Sequence, residues 1–489
     1  MKKNFPRLML TALSSGSGKT YITCGLLTLF ARKGLDVRSF KCGPDYIDPM
    51  FHRAVLQVPS KNLDPYFTDR NTTRELFTGS ASDEISLIEG VMGYFDGLGG
   101  TRIRGSSFEL ATMLETPVVL IVDCKGVGRT VCAQIKGMLD YESEHLGKNR
   151  MDCTSDHPGK DVMECTSDHL IKGVILNRMS AMLFPAMKEQ IESELPVKVL
   201  GYLPEQKDFH LDSRHLGLKM PEEIADLREK FDHLADTLES TIDLEAFLML
   251  AKQAPEMEYK GETNNQRQRQ GQIQRQGQIR KQKKPSCRIG VAKDSAFCFY
   301  YEDNIRLLEE NGAEILYFSP LQDQTLPDVD GILIGGGYPE LYAKELSQNE
   351  EIKKDIFQAA ESGMPMLAEC GGFMYLQKSL KDKQEHVWEM VGVLPGECYD
   401  TGRLGRFGYV ELAFPDGKII KAHEFHYYDS TENGDYAHAE KPVGNRFWEC
   451  MVKYKGILAG FPHLYYPSCP EFGADFVKQC VRWKKRNAL

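Results

Sequence analysis

Short runs of consecutive apolar residues recur along the chain, and stretches with helical spacing lie between them. In the first half the strand candidates are RLMLTA, VRSFKC, ISLIEG, PVVLIVD, KGVILN and VKVLGYL, and in the second RIGVA, EILYFS, GILIGG and MPMLAEC. The stretch KTYITCGLLTLFARKG puts Ile22, Leu26 and Phe30 on one face of a predicted helix. Continuous apolar strands that alternate with helices are typical of parallel sheets covered on both faces. We therefore predict an α/β fold.

One polar segment interrupts this pattern and divides the chain. Residues 262–286, ETNNQRQRQGQIQRQGQIRKQKKPS, contain almost no aliphatic side chains and repeat RQGQI. Such a composition buries too little apolar surface to offset the entropy of ordering, which predicts a solvated linker over 253–286. A basic patch for RNA is the alternative. The linker would separate a first domain, residues 1–252, from a second, residues 287–489.

A tandem duplication lies inside the first domain, in an insert at about 142–170. MDCTSDHPGKDV, from Met151, is followed directly by MECTSDHLIKGV. A slipped duplication in a surface loop explains the repeat. Alternatively, its cysteines and histidines could bind zinc, although C-x3-H is not a usual ligand spacing. Those candidate ligands are Cys153, His157, Cys165 and His169.

Charge and cysteine usage exclude several classes of protein. The 489-residue chain has a net charge of -10, so neither nucleic acid nor an anionic membrane is an expected partner. No run approaches the ~20 apolar residues of a membrane span, and the N-terminal apolar run is too short for a signal peptide. Thirteen cysteines without a compact disulfide pattern fit a reduced compartment. We expect a cytoplasmic protein.

A phosphate-binding loop follows the first predicted strand. TALSSGSGKTYIT opens the first helix, where backbone N–H groups and the helix N-terminus would face an anion. Lys19 would contact the β- and γ-phosphates and Thr20 would hold Mg²⁺. Leu13 stands where the usual pattern has glycine. The predicted nucleotide-binding residues of the loop are Ser15, Gly16, Gly18, Lys19 and Thr20.

Carboxylates follow two further strands, at the edge where open α/β sheets bind ligands. FKCGPDYIDPMFH carries Asp45 and Asp48, which in isolation could also be solvated turn residues. LIEGVMGYFDGLGG places Glu89 at a strand end, suited to Mg²⁺, and Asp96 in the glycine-rich turn after it. Asn177 closes GVILN, where it could read an adenine edge or only cap the strand.

A cysteine in the second half has the surroundings of a nucleophile. In MPMLAECGGFMYLQ, Cys370 follows an apolar strand, and Gly371 and Gly372 allow close approach of the next helix. The helix N-terminus is expected to lower the pKa of the thiol. In GILIGGGYPE, Gly336 and Gly337 are suited to donate backbone N–H groups to an oxyanion. A core thiol is the alternative for a lone cysteine.

A nucleophilic thiol needs a base, and the chain offers two segments that could supply it. HEFHYY contains His423 and His426, and GFPHLYY contains His463. The residues alone leave this choice open.

Together these motifs resemble the cobyrinic acid a,c-diamide synthase family. The phosphate loop, FKCGPDYIDPMFH, SKNLDPYF, IEGVMGYFDG, GVILNR and VLGYLPE…SRHLGL resemble its dethiobiotin synthetase-like domain, and GGGYPE and AECGGFMYL its class I glutamine amidotransferase domain. The resemblance implies a P-loop parallel-sheet synthetase domain and a flavodoxin-like amidotransferase domain. It favours His463 as the base for Cys370. Many class I amidotransferases have H-x-E, whereas this chain has Leu464 and Tyr465 after the histidine.

The resemblance also implies an activity. It is ATP- and glutamine-dependent amidation of the a and c acetate carboxylates of cobyrinic acid through an acyl phosphate, with ATP and Mg²⁺ as cofactors. Cobyrinic acid and L-glutamine would be the small-molecule partners, and a homodimer is a candidate assembly. The implied metal-site residues are Thr20, Asp45 and Glu89, and the implied substrate-site residues are Tyr46, Asp48 and Asp96.

Three alternatives share parts of this pattern. Hydrogenobyrinic acid or nickel sirohydrochlorin could be the substrate of the same chemistry. A cobyric acid synthase is expected to differ in GPDYIDPMFH. A partitioning ATPase usually has a signature lysine where this chain has Ser14, and intact Cys370 and His463 argue against an inert second domain.

Overall fold

The computed structural model divides the chain into two compact units, residues 1–275 and 276–489, which we describe separately. Both are α/β, so the predicted fold class is confirmed. The predicted linker boundaries stay predictions, and most of the linker and of the duplicated insert lies outside the described residues. The structure describes residues 1–148, 169–206, 213–214, 217–218, 227–259 and 285–487.

The first unit is built on a parallel sheet. Its strands are β1 (Lys2–Lys3), β2 (Arg7–Ala12), β3 (Val37–Cys42), β4 (Ser60–Leu63), β5 (Ile85–Glu89), β6 (Val118–Asp123), β7 (Ile171–Asn177), β8 (Lys198–Leu203), β9 (Ser213–Arg214), β10 (Gly217–Leu218) and β11 (Met257–Glu258). Its helices are α1 (Lys19–Arg32), α2 (Ile47–Ala54), α3 (Arg70–Thr78), α4 (Ser107–Leu114), α5 (Thr130–Lys148), α6 (Phe184–Glu194), α7 (Leu227–Thr241) and α8 (Leu244–Lys252).

Seven strands pair in the order β4-β3-β5-β2-β6-β7-β8, all in parallel. Every residue of the central strand β2 is buried, as its unbroken apolar run predicts. The carboxyl ends of β2, β3 and β5 are neighbours, so the phosphate loop and the two carboxylate-bearing loops leave the sheet at one edge. At the other end of the unit β11 pairs with β1, so residues 257–258 of the predicted linker segment belong to this unit.

The second unit combines a parallel sheet with antiparallel ones. Its strands are β12 (Cys287–Ala292), β13 (Phe297–Phe299), β14 (Ala313–Phe318), β15 (Gly331–Ile334), β16 (Gly336–Gly337), β17 (Met366–Glu369), β18 (Ser379–Lys381), β19 (Val387–Glu389), β20 (Glu397–Asp400), β21 (Phe407–Ala413), β22 (Ile419–Phe425), β23 (Tyr428–Ser430), β24 (Ala437–Glu440), β25 (Phe447–Cys450), β26 (Val452–Tyr454), β27 (Ile457–Gly460) and β28 (His463–Leu464). Its helices are α9 (Glu302–Glu310), α10 (Ala343–Gln348), α11 (Glu350–Glu361), α12 (Gly371–Leu376) and α13 (Pro470–Asn487).

The main sheet of this unit has the order β14-β12-β15-β17-β27-β26, parallel except for β26. A five-stranded antiparallel sheet, β25-β24-β21-β22-β28, ends with the strand that carries His463, and a four-stranded sheet has the order β19-β18-β20-β23. The five-stranded sheet places His463, from late in the chain, beside the edge of the parallel sheet. Among the described residues, none of the helices has the length and apolarity that crossing a membrane requires.

Candidate active sites

The phosphate loop wraps tightly before α1. Gly16 and Gly18 have φ values of 77° and 97°, in the left-handed region that glycine tolerates best. The Lys19 ammonium donates to the carbonyl oxygens of Ser14, at 3.0 Å, and of Met92. Lys19 therefore ties the phosphate loop to the loop that follows β5.

The Asn177 amide braces this loop. Its Nδ2 donates to the Ser17 carbonyl at 2.9 Å, and its Oδ1 accepts from the Arg178 N–H at 3.0 Å. A Cβ on Gly18 would lie 2.3 Å from Asn177 Nδ2, so only glycine fits there. Both ends of the amide thus contact the protein itself, whereas the predicted contact with an adenine edge stays a prediction.

A buried charge cluster lies at the ends of β3 and β5. The Lys41 ammonium lies 2.5 Å from Asp48 Oδ2 and 2.8 Å from Glu89 Oε1. The Thr20 hydroxyl donates to the same Glu89 oxygen at 2.6 Å. The structure therefore brings predicted residues of all three loops together, around a lysine that the sequence had not singled out.

His52 extends this cluster on its far side. Its Nδ1 lies 2.9 Å from the Ser39 hydroxyl and 3.2 Å from that of Ser60. Its Nε2 lies 3.7 Å from Glu89 Oε2. Burial lowers the pKa of His52 to about 4, so the imidazole is neutral near pH 7.

Burial and mutual charge set the protonation of the cluster. Burial, followed by the Lys41 charge, lowers the pKa of Lys19 to about 8. Burial and the neighbouring Asp48 raise the pKa of Asp45 to about 8. Burial also acts to raise the pKa of Asp48, but Lys41 outweighs it, and the net pKa is below the ordinary range. At pH 7 the cluster therefore contains an ionised Asp48 and a protonated Asp45 beside it.

Oxygen ligands suited to Mg²⁺ meet at only part of the predicted metal site. Mg²⁺ prefers hard oxygen donors, which the Thr20 hydroxyl and the Glu89 carboxylate provide side by side. Glu89 Oε2 is buried and has no hydrogen-bond partner among the described residues. Asp45 instead accepts from the Ile47 N–H at 2.8 Å. The residues therefore fit a magnesium ion at Thr20 and Glu89. Within the described ranges, no group of three or more His, Cys, Asp or Glu side chains is arranged to hold a metal ion.

The remaining predicted substrate residues line the same edge of the sheet. Asp96 Oδ2 accepts from the Gly93 N–H at 2.9 Å and fixes the turn after β5. A Cβ on Gly93 would lie 2.5 Å from that oxygen, so this turn requires glycine. Tyr46 is buried at the start of α2, between Asp45 and Asp48.

The zinc alternative for the duplicated insert falls mostly outside the described residues. This applies to Cys153, His157 and Cys165. His169 is described, and its Nδ1 lies 3.0 Å from the Ser143 hydroxyl.

In the second unit, Cys370 occupies the sharp turn between β17 and α12. Its φ of 49° and ψ of -104° are strained for a residue with a side chain. A Cβ on Gly372 would lie 2.1 Å from the Ile334 carbonyl oxygen, so the helix packs closely against β15. Strand, strained turn and helix follow one another as in a nucleophile elbow.

The predicted oxyanion residues and His463 lie beside this turn. A Cβ on Gly371 would be 3.2 Å from the Gly337 nitrogen, which places that amide next to the turn. A Cβ on Gly336 would be 2.3 Å from His463 Cε1, so the imidazole packs directly on the glycine backbone. Cys370, His463 and both glycines therefore form one site.

The expected lowering of the Cys370 pKa is wrong. Burial raises the pKa of the thiol, and the charge of Glu340 adds to the effect. The Gly371 backbone N–H acts in the other direction but is outweighed. Burial, followed by the charge of His426, lowers the pKa of His463 to about 3. The site thus holds a neutral thiol and a neutral imidazole.

The other two candidate histidines have different surroundings. His426 is stacked on Phe461 at 4.2 Å, and its Nε2 lies 3.1 Å from Glu424 Oε2. His423 lies opposite His463 in the pairing of β22 with β28. Of the three, His463 is the one packed on the glycine segment.

Two family models match this chain, one in each unit. Residues 8–218 match a family model described as the CobQ/CobB/MinD/ParA nucleotide binding domain, and residues 288–465 match the CobB/CobQ-like glutamine amidotransferase domain. The cobyrinate a,c-diamide synthase of Caldanaerobacter subterraneus subsp. tengcongensis is 37% identical over 98% of this chain and 99% of that protein. This chain belongs to the cobyrinate a,c-diamide synthase family.

Two further family members support the assignment. The cobyrinate a,c-diamide synthase of Picrophilus torridus is 35% identical over 97% of this chain and 98% of that protein, and that of Priestia megaterium is 34% identical over 98% of both. The predicted family is therefore confirmed, and with it an amidating ligase built from a nucleotide-binding and a glutamine amidotransferase domain.

Two residues at these sites, Lys41 and Glu369, were not singled out from the sequence. Lys41 stands in a strand and is quoted within FKCGPDYIDPMFH, but a lone lysine gives no signal of burial. Glu369, directly before Cys370, is buried and accepts hydrogen bonds from the Tyr466 hydroxyl and the Leu464 N–H. The signal that could have revealed Glu369 is a charged residue at the end of an otherwise apolar strand.

Proposed function

We propose that this protein converts cobyrinic acid to its a,c-diamide, using ATP and glutamine. The substrate is inferred from the names of the relatives, which align over nearly the whole chain. The observation that carries the chemistry is the strained turn at Cys370, packed beside the Gly336–Gly337 segment and His463. A second, buried cluster around Lys41 supports activation of a carboxylate in the other unit.

In the second unit, the Cys370 sulfur attacks the carboxamide carbon of glutamine. Because burial keeps the thiol neutral, its proton must leave during the attack, and the neutral His463 imidazole accepts it. The Gly336 and Gly337 backbone is suited to stabilise the oxyanion. His463 returns the proton to the departing ammonia, and water then hydrolyses the thioester to glutamate.

In the first unit, the chain's own residues hold phosphate groups and a carboxylate substrate. The glycine-rich loop before α1 and the Lys19 ammonium bind the phosphates. Thr20 and Glu89 would hold Mg²⁺, which supplies charge neutralisation during phosphoryl transfer. Asp48, Asp96 and Tyr46 line the sheet edge where the acetate group would lie. The acetate carboxylate takes the γ-phosphoryl group of ATP, and ADP leaves. Ammonia then attacks the acyl carbon and releases phosphate, and repetition at the second carboxylate gives the diamide.

This division of labour is tested with Cys370→Ala. The variant is expected to lose glutamine-driven synthesis yet retain synthesis driven by ammonium salts, since only the glutaminase step uses the thiol. Product is quantified by liquid chromatography with each nitrogen source. A matched control is Cys398→Ala, which removes another buried cysteine of the same unit. If Cys370→Ala loses both glutamine-driven and ammonium-driven synthesis while Cys398→Ala retains both, the proposed division of labour between the two units is refuted.

A further inference from the structure

The short segment that carries His463 is held from two sides. We call residues 463–466 the His463 segment. On one side it pairs with β22, where Leu464 lies opposite Ala422 and the Tyr465 N–H donates to the Lys421 carbonyl at 3.0 Å. With only two residues in β28, this pairing alone gives little support.

On the other side a buried carboxylate reaches the same segment. Glu369 Oε1 lies 3.1 Å from the Tyr466 hydroxyl, and Glu369 Oε2 lies 3.4 Å from the Leu464 backbone nitrogen. Glu369 is 5% exposed. One side chain thus binds both the residue after His463 and the end of the segment.

Helix α9 adds a second attachment through Asn304. Its Nδ2 donates to the Leu464 carbonyl and its Oδ1 accepts from the Tyr466 N–H, both at 2.8 Å. The backbone of Leu464 is therefore bound at its N–H by Glu369 and at its carbonyl by Asn304. This leaves the residue next to His463 little freedom to rotate.

Glu369 is also the direct neighbour of Cys370 in the chain, so its contacts connect the histidine segment to the nucleophile. Glu369 is the last residue of β17, and the next residue is Cys370. The same residue is joined covalently to the nucleophile and by hydrogen bonds to the histidine segment. Movement of either partner relative to the other would break a buried hydrogen bond and leave a buried polar group unsatisfied, which is unfavourable.

We propose that Glu369 is the positioning residue of the glutaminase site, where it fixes the His463 segment relative to Cys370. This chain has tyrosine at the second position after the histidine, where H-x-E would have glutamate. Glu369 supplies a carboxylate from the nucleophile strand instead, and it acts on the backbone beside the histidine. The inference rests on the proposed glutaminase function of Cys370 and His463.

The deciding variant is Glu369→Leu, which keeps similar volume and removes both acceptors. A displacement near 1 Å between reacting groups can cost about 100-fold in rate. We expect kcat for glutamine hydrolysis to fall by about that factor, with KM changed much less because the substrate pocket is retained. Alkylation of Cys370 by iodoacetamide should slow as well, while ammonium-driven synthesis should stay at the wild-type rate.

Two control variants distinguish a positioning role of Glu369 from a general effect on the stability of the second unit. Glu369→Gln retains an acceptor oxygen and should restore most of the activity. Asp330→Leu removes another buried carboxylate of the same unit, which accepts from the Arg288 N–H at 2.8 Å, and should leave the rate per folded molecule unchanged.

Wild-type kcat and alkylation rate in Glu369→Leu would overturn the inference. So would equal losses of glutamine- and ammonium-driven activity that follow thermal stability as in Asp330→Leu. If the wild-type protein itself does not hydrolyse glutamine, the proposed function fails, and the alkylation rates still decide whether Glu369 positions the pair.

Discussion

Replacing Lys41 by methionine should destabilise the first unit strongly. The ammonium is the counter-charge for Asp48 and Glu89, and the three side chains are 6%, 9% and 0% exposed. Methionine has similar length, so the change removes charge more than volume. Removing one partner of a buried ion pair costs about 3–5 kcal/mol because the remaining charge is unpaired.

Amide hydrogen exchange measured by mass spectrometry can show whether the first unit is the one that loses stability. Peptides from β3 and β5 should exchange more than about 100-fold faster, since each 1.4 kcal/mol is tenfold in an equilibrium constant. All three tryptophans, Trp388, Trp448 and Trp483, lie in the second unit, so tryptophan fluorescence reports on that unit alone.

The matched control is Lys125→Met, which breaks an exposed pair with Glu205 at 2.6 Å. Such pairs contribute about 0–1 kcal/mol, so exchange should barely change. In Lys41→Met the two carboxylates have raised pKa values in the folded state. The free energy of unfolding of the variant then falls as pH rises through those pKa values, because the buried carboxyl groups must ionise without a counter-charge. The loss of stability relative to the wild type should therefore be larger at pH 8 than at pH 5. Equal protection in both variants, at both pH values, would refute the account of the cluster.

Three further predictions concern single groups. Gly336→Ala should displace the His463 ring, because its Cβ would lie 2.3 Å from Cε1, and should lower glutamine hydrolysis but not ammonium-driven synthesis in steady-state assays. Gly372→Ala, with its Cβ 2.1 Å from the Ile334 carbonyl, should lower the melting temperature of the second unit by tryptophan fluorescence, whereas Gly405→Ala, whose nearest atom would be 3.6 Å away, should not. Affinity for MgATP, measured by calorimetry, should fall as pH rises through about 8, where Lys19 loses its proton, and a flat profile would contradict the assigned phosphate contact.

The parallel strands could be predicted closely from the sequence because burial on both faces demands unbroken apolar runs. Arg7–Ala12 coincides with the predicted RLMLTA, and Val118–Asp123 lies within the predicted PVVLIVD. Ser60–Leu63 was missed, since SKNL is polar although all four residues are buried. Asn62 offsets this burial by donating to the Gly43 and Asp45 carbonyls.

The antiparallel part of the second unit was not predicted, for a related reason. Its strands are short and are buried on alternate residues, so no continuous apolar run marks them. In Ile419–Phe425 the buried positions include a small Ala422 and a charged Glu424, which weaken the alternation further. Without that sheet the sequence could not show which of the three histidines lies on the Gly336 segment.

The chemistry of the sites was predictable where a motif fixes both identity and spacing. The phosphate loop and the Cys370 turn lie in the predicted strand–loop–helix settings. The contacts of Lys41 and Glu369 depend on which strand ends meet in space, and no local pattern encodes them.

The proposed diamide synthesis is tested most directly by mass spectrometry of the products that the purified protein forms from cobyrinic acid, glutamine and MgATP. We expect a product in which two carboxyl OH groups are replaced by NH₂, formed with consumption of both ATP and glutamine. Unchanged cobyrinic acid would contradict the claim. Amidation of hydrogenobyrinic acid or nickel sirohydrochlorin in its place would retain the mechanism and replace the substrate.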